Sequence, residues 1–269
     1  MTMMYLRVIP KILLGLALLL ITSLSTAKAV TAAQATEPQT TSHTTNAEKI
    51  PVANRLMPYK ARYQAEFSNL PVEVTRELKK TSDKNYRLLF QAEALISTIE
   101  EGSDFQLSEN QQIIPLTYKY SRAGLGDNKD QSIDYDQQKS KAHYVDHKRN
   151  VTVDLVPGIL DKSTVYLQLQ QDLINGKQKM SYRVLDRARI QDFAYEVTGS
   201  ESLKTPLGNI DTVMVKRVRD DDTRTTVIWF AKNLGFIMVK LLQTDEGTTH
   251  TMSIAELEID GKNISGDKI

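Results

Sequence analysis

Three consecutive acids, Asp220-Asp221-Asp222, stand among basic residues in "VKRVRDDDTRTTVIWF", residues 215–230. Clustered carboxylates can hold a divalent cation or do acid–base work. A calcium loop, however, sets its acids at alternating positions around a central glycine. Here the acids are contiguous and no glycine follows, so they point in different directions. Val213, Met214, Val215 and Val218 precede them, and a β-branched and aromatic run follows. The reading that fits is a solvent-exposed hairpin loop, with Arg217, Arg219 and Arg224 placed to neutralise it.

The remaining reactive side chains are sparse. His143 and His147 are four apart, a zinc spacing on a helix. Their surroundings read as strand or loop, where four residues separate side chains by about 13 Å, so no shared ion is expected. His250 stands alone in a polar stretch, and His43 falls in the N-terminal tether described below. No G-x-S-x-G elbow occurs, and "TGSES" over 198–202 lacks the rest of one. Nor is there a phosphate-binding glycine loop, and the absence of cysteine removes thiolate nucleophiles and thiolate metal sites. No catalytic residue, metal site or cofactor is expected, although scattered carboxylates leave a glycosidase-like pair open.

Eleven tyrosines remain to be placed. Several fall on apolar faces, among them Tyr59, Tyr63, Tyr86, Tyr118, Tyr120 and Tyr195. They either pack a core, each hydroxyl reaching a partner, or line an amphipathic cavity. On the cavity reading, Tyr63, Phe90, Tyr118, Tyr195 and Trp229 are the candidate lining.

The elements that must carry these side chains are strands. In "YKARYQAEF", Tyr59, Ala61, Tyr63, Ala65 and Phe67 share one face and charged or polar residues the other. "NYRLLFQAEALI" repeats the pattern through Tyr86, Leu88, Phe90, Ala92, Ala94 and Ile96. "IPLTYKY" places Ile114, Leu116, Tyr118 and Tyr120 together, and later runs group Val151, Val153 and Leu155, then Phe193, Tyr195 and Val197. Turn residues separate these runs, as at Glu101-Gly102, Leu207-Gly208-Asn209 and Glu246-Gly247. One apolar face per strand argues for antiparallel pairing. The expectation is an all-β domain: about a dozen strands in one large antiparallel sheet, curled or closed into a barrel. One helix interrupts it over 161–175, with Tyr166, Leu169 and Leu173 at helical spacing, Asp161 as N-cap and Gly176 as C-cap. Its stripe must pack at the mouth or one end of the sheet.

The ends bear on compartment. Arg7 and Lys11 precede the apolar "ILLGLALLLI", and "AKA" follows at 27–29. That order predicts a secretory signal peptide over 1–29, cleaved after Ala29, too short for a comfortable membrane span. Removing Arg7, Lys11 and Lys28 leaves 31 bases against 33 acids, a net of −2. No strongly basic field remains for a nucleic acid. Residues 30–56, rich in Thr, Ala and Gln, predict a flexible tether. The β domain is expected over 57–260, with a tail over 261–269. That length buries roughly 70% of its unfolded surface, so no disulfide is needed.

"TPLGNIDTVMVKRVRDDDTRTTVIWFAKNLGFIMVKL" resembles the bacterial domain-of-unknown-function family 3108. The match lies in the turn Thr205-Pro206-Leu207-Gly208, the strand from Arg224 to Trp229, and the turn Leu234-Gly235. "MPYKARYQAEFSNLPV", "IIPLTYKY" and "DKSTVYLQLQQDL" look like the same family in the same order. The likeness covers about residues 58–257. It departs at "FIMVK", where Met238 stands in a place members often give to proline. The resemblance implies an exported β-rich domain, often in Gram-negative envelopes, with no agreed activity and no catalytic residues to carry over. A looser analogy of fold points to lipoprotein-carrier half-barrels, which hold acyl chains. Three readings follow: a periplasmic binding module for a lipid or lipoprotein acyl chain, an envelope interaction protein without a small ligand, and a carboxylate-dependent hydrolase of envelope polymers.

Overall fold

The computed structural model describes residues 56–67, 70–124, 128–220 and 223–265, the side chains of Phe67 and Leu70 excepted. The expected signal peptide, nearly all of the tether, Asp221, Asp222 and the last four residues lie outside the described residues.

Alternation becomes strand almost wherever it occurs. The N-terminal arm is β1 (Tyr59–Phe67), β2 (Leu70–Lys80), β3 (Asn85–Ala94), β4 (Ser97–Leu107), β5 (Ile113–Gly124), β6 (Lys129–Asp136), β7 (Lys141–Asp146) and β8 (Asn150–Asp154). After β9 (Ile159–Leu160) comes the helix α1 (Thr164–Ile174). The second arm is β10 (Lys179–Asp186), β11 (Arg189–Thr205), β12 (Gly208–Val218), β13 (Arg224–Ala231), β14 (Ile237–Asp245) and β15 (Thr248–Ile259), with β16 (Lys262–Asn263) paired beside β15. All belong to one sheet, ordered β8 through β1, then β15 down to β9. Every pairing is antiparallel except that of β9 with β10. β1 thus joins the two arms through β15, Tyr59 lying opposite Ile259.

That order forces curvature. Laid flat, fifteen strands in sequence would span about 67 Å at ~4.8 Å per strand. Yet only residues 155–158 join β8 at one edge to β9 at the other, and that step reaches at most about 18 Å. The edges must meet, and they do so without a closing ladder. β9 lies against β5, so β6 to β8 overlap the opposite edge and the sheet coils past itself. Arg149 ties the overlap: Nη1 donates to the Arg187 carbonyl at 2.8 Å and Nη2 to Asp146 at 2.7 Å. Burial opposes ionisation of Asp146, but Arg149, Tyr144 and two backbone amides hold its carboxyl well below the usual range.

The helix fills one end of this coil. Asp161 Oδ1 accepts from the amides of Ser163 and Thr164, both at 2.8 Å, which makes it the N-cap in function. At the other end Gly176 takes the left-handed conformation, φ 76°, and its amide returns to the Leu173 carbonyl at 3.0 Å. Of the expected stripe, Leu169 and Leu173 are buried and Tyr166 is half-buried, and Val165, Leu167, Gln170, Gln171 and Asp172 are buried as well. α1 is therefore an internal plug and not a cover. Two of these polar residues find partners inside: Gln170 donates to the Gly235 carbonyl at 2.7 Å, and Asp172 accepts from Tyr182 at 2.8 Å, whereas Gln171 Nε2 meets none among the described residues. Gly235 takes the left-handed conformation, φ 62°, and a Cβ there would sit 3.0 Å from Met57 Cε.

Three details differ from the alternation alone. In β5 the pairing skips a residue, Asp104 facing Thr117 and Phe105 facing Pro115. This bulge puts Ile113 and Pro115 inside ahead of Tyr118 and Tyr120, in place of Ile114 and Leu116. Val151 is an exposed edge residue. The packed unit also starts one residue earlier than expected, at buried Leu56, and continues past 260 through β16 to buried Ile264.

Candidate binding chamber

The inward faces change character along the coil axis. Around α1 they are apolar: Tyr63, Leu88, Phe105 and Tyr118 are almost fully buried. Toward the hairpins at the other end, the same faces carry Arg76, Glu101, Arg122, Arg217, Thr226, Gln243 and His250, all buried. Each continues a strand's alternation: Arg76 follows Val72 and Val74, and Arg217 follows Val213 and Val215.

Between these zones lies a cavity of about 60 Å³. Its apolar wall is Phe90, Tyr166, Phe193, Met238, Leu241 and Met252, and its polar wall is Arg76, Glu101, Lys162 and Ser163. Arg76 is 5% exposed. Its Nε donates to the Tyr59 hydroxyl at 2.8 Å, and its guanidinium lies 5.8 Å from the centre of the Tyr166 ring. Lys162 Nζ is 3.4 Å from Asp186 and faces the rings of Tyr118 and Tyr120 at 5.8 and 5.3 Å. Burial raises the Asp161 carboxyl to about 6, against the pull of the Thr164 and Ser163 amides and of Ser103, whose hydroxyl donates at 2.9 Å. Burial, with the neighbouring Arg217 charge second, pushes the Arg219 guanidinium down to about 10.

The sequence-derived lining residues separate. Phe90 borders the cavity. Tyr63, Tyr118 and Tyr195 point inward but stand in packed interior, the Tyr63 hydroxyl donating to the Met238 carbonyl at 2.8 Å. Trp229 does not line it. Val215, on the Tyr195 face, pairs with Ile228, so the next residue, Trp229, faces outward. There its indole donates to Glu201, and Lys240 covers the ring at 4.6 Å. The functional side chains not anticipated were the charged ones. Their signal was legible: an arginine or glutamate occupying the apolar phase of an alternating strand.

Asp220 is exposed between β12 and β13, while Asp221 and Asp222 lie outside the described residues. The flanking arginines are engaged elsewhere. Arg224 pairs with Asp245 at 2.8 Å, Arg219 donates to Thr226 at 3.2 Å, and Arg217 stacks on Phe193. The expected neutralisation of the loop involves Asp221 and Asp222, which lie outside the described residues. His143 on β7 and His147 after it are both exposed. Among the described residues no group of three metal-ligating side chains gathers, and no helix is long and apolar enough to cross a membrane.

A curled, largely antiparallel sheet with unjoined edges and one internal helix defines a β-barrel-like protein. A crystal structure of such a protein, described as a beta-barrel-like protein of domain of unknown function DUF1849 from Brucella abortus, matches it with a TM-score of 0.54. The match covers 77% of this chain and all of that one at 12% identity, a likeness of fold. Residues 59–253 match the model of the family described as protein of unknown function, DUF3108, and the chain belongs to that family. No curated protein matches it.

Proposed function

We propose that this protein is an exported, periplasmic binding module that holds an amphiphile, with the apolar part in the chamber bordered by Phe90 and Phe193. One observation carries the reading: the chamber has an apolar wall of aromatic, Met and Leu side chains facing a wall of Arg76, Glu101, Lys162 and Ser163. A core built only for stability has little use for buried charges. The void of about 60 Å³ is far below the roughly 300 Å³ where pockets for organic ligands begin. The ligand therefore enters by displacing side chains, and Met238 and Met252 are unbranched and adaptable enough to yield. Each methylene buried contributes roughly 0.8 kcal/mol.

A second reading, an envelope interaction protein without a small ligand, draws on the same small volume, since a filled interior needs no occupant. The test uses protein recovered from the native periplasm, where the mature chain is expected to begin at Val30. Denaturing extraction followed by lipid mass spectrometry should find a bound amphiphile above that of a Phe90→Arg variant, and fluorescent fatty acids should bind the wild type. No lipid above the variant, with no fatty-acid binding, leaves the interaction reading.

A further inference from the structure

The inner face of β12 ends in Arg217, with Arg219 just past the strand, and among the described residues Glu196 is the acid that borders the space beside them together with Arg224. Arg217 is 8% exposed, and its guanidinium lies 3.5 Å from the centre of the Phe193 ring. Among the described residues, its Nε and Nη1 meet no hydrogen-bond acceptor. Two residues on, Arg219 donates, among the described residues, to neutral oxygens, Thr226 Oγ1 at 3.2 Å and the Arg224 carbonyl at 3.5 Å. Beside them, opening to the outer side of the sheet at exposed Val218, is a cavity of about 70 Å³, bordered also by Glu196, Lys216, Arg217, Arg219, Arg224 and Thr225. Arg224 is already matched by Asp245, which leaves Glu196 as the one acid at this cavity among the described residues.

A buried guanidinium without its counter-charge is costly, and orphaned donors in a folded interior need a partner. An arginine fork is shaped for two oxygens of one carboxylate or phosphate. The space matches: at ~30 Å³ per water, it takes a group of about two waters' volume. We infer that Arg217 and Arg219 form the head-group site for a carboxylate or phosphate at the end of the amphiphile. The inference rests on the proposed function for the ligand's tail alone. Phe193 connects the two, since it borders the chamber and lies under Arg217. A ligand with its chain along Phe90 and Phe193 would bring its charged end to the arginines.

The experiment separates head from tail. Melting temperature is measured in sodium phosphate and in sodium chloride at equal ionic strength, and calorimetry follows dodecyl phosphate and dodecanol below their aggregation concentrations. Phosphate should raise the wild-type melting temperature saturably. Arg217→Met should abolish that rise and, in chloride, melt no lower than wild type, because it removes an uncompensated charge. Arg219→Gln should weaken the response, and it serves if the first variant does not fold. Dodecyl phosphate should bind at least tenfold more tightly than phosphate. A phosphate response without any gain from the dodecyl chain supports the anion site and sinks the chamber. Dodecanol binding as well as dodecyl phosphate, with no phosphate response, sinks the anion site and leaves the chamber. A phosphate response appearing only after Asp221 and Asp222 are changed to Asn would make the loop's own acids the counter-charge, and the inference falls.

Discussion

Asp161 shows how one carboxylate can serve architecture at a cost. Its Oδ1 takes three donors, from Ser163, Thr164 and Ser103, while Oδ2 is buried without a partner among the described residues. Burial therefore outweighs the bonds, and the folded-state value is raised from 3.8 to about 6. The sign is opposite to that of a salt-bridged acid. Between pH 4 and 6 the folded state keeps a proton that the unfolded chain has lost, so stability falls as pH rises through that window. Above pH 6 the whole cost, about 3 kcal/mol for a shift of this size, is present. Asp161→Asn keeps the capping oxygen and removes the titration. Urea unfolding of both proteins from pH 4 to 7 should give curves that diverge across the window, the variant gaining relative to wild type toward pH 7. Parallel curves would mean that the carboxyl titrates near its ordinary value. Comparing the pair cancels the other groups nearby, Glu101, Lys162 and Asp186.

At the level of the element, α1 decides whether the coil is a barrel or a container. It has eleven residues and is about 16 Å long, so it fills one end of the interior and leaves the other to side chains. Its apolar stripe was legible at Leu169 and Leu173, but the burial of Gln170, Gln171 and Asp172 was not, because polar residues read as solvent-facing until their partners are known. The partners of Gln170 and Asp172 lie outside the helix, Gly235 in the turn before β14 and Tyr182 on β10. If the helix is a plug, its apolar residues behave as core. Leu167→Ala should cost about 2–5 kcal/mol in equilibrium unfolding. A cost below 1 kcal/mol would show a loosely seated helix and return it to the role of a cover.

For the molecule as a whole, the order of strands predicts where it opens. β1 and β15 join residues almost two hundred positions apart at the centre of the sheet, whereas β8 is an edge with mostly exposed residues. Native-state hydrogen exchange should therefore rise outward from β1 and β15, with β8 and β7 exchanging by partial opening. Arg149→Ala, which removes the tie to the Arg187 carbonyl, should speed exchange in β6 to β8 and leave β1 and β15 unchanged. Uniform acceleration across the sheet would mean that the overlap is held as one cooperative unit with the centre.

What the residues alone determined is what depends on near neighbours. The side-chain period of a strand is two, so alternation in "YKARYQAEF" named the inner face of β1 without any partner; the caps Asp161 and Gly176 likewise act within one turn. The family was readable in the order of its turns and strands. Tertiary structure decided everything that depends on register. One skipped residue in β5 exchanged Ile114 and Leu116 for Ile113 and Pro115 on the inner face. Pairing through Val215 and Ile228 sent Trp229 outside. Cross-strand register set Arg76, Phe90 and Glu101 side by side, and coiling of the sheet closed one cavity between them and Lys162 and Phe193. A strand's sequence states which of its residues share a face, but the partner strand sets which way that face turns, and closure sets what it meets.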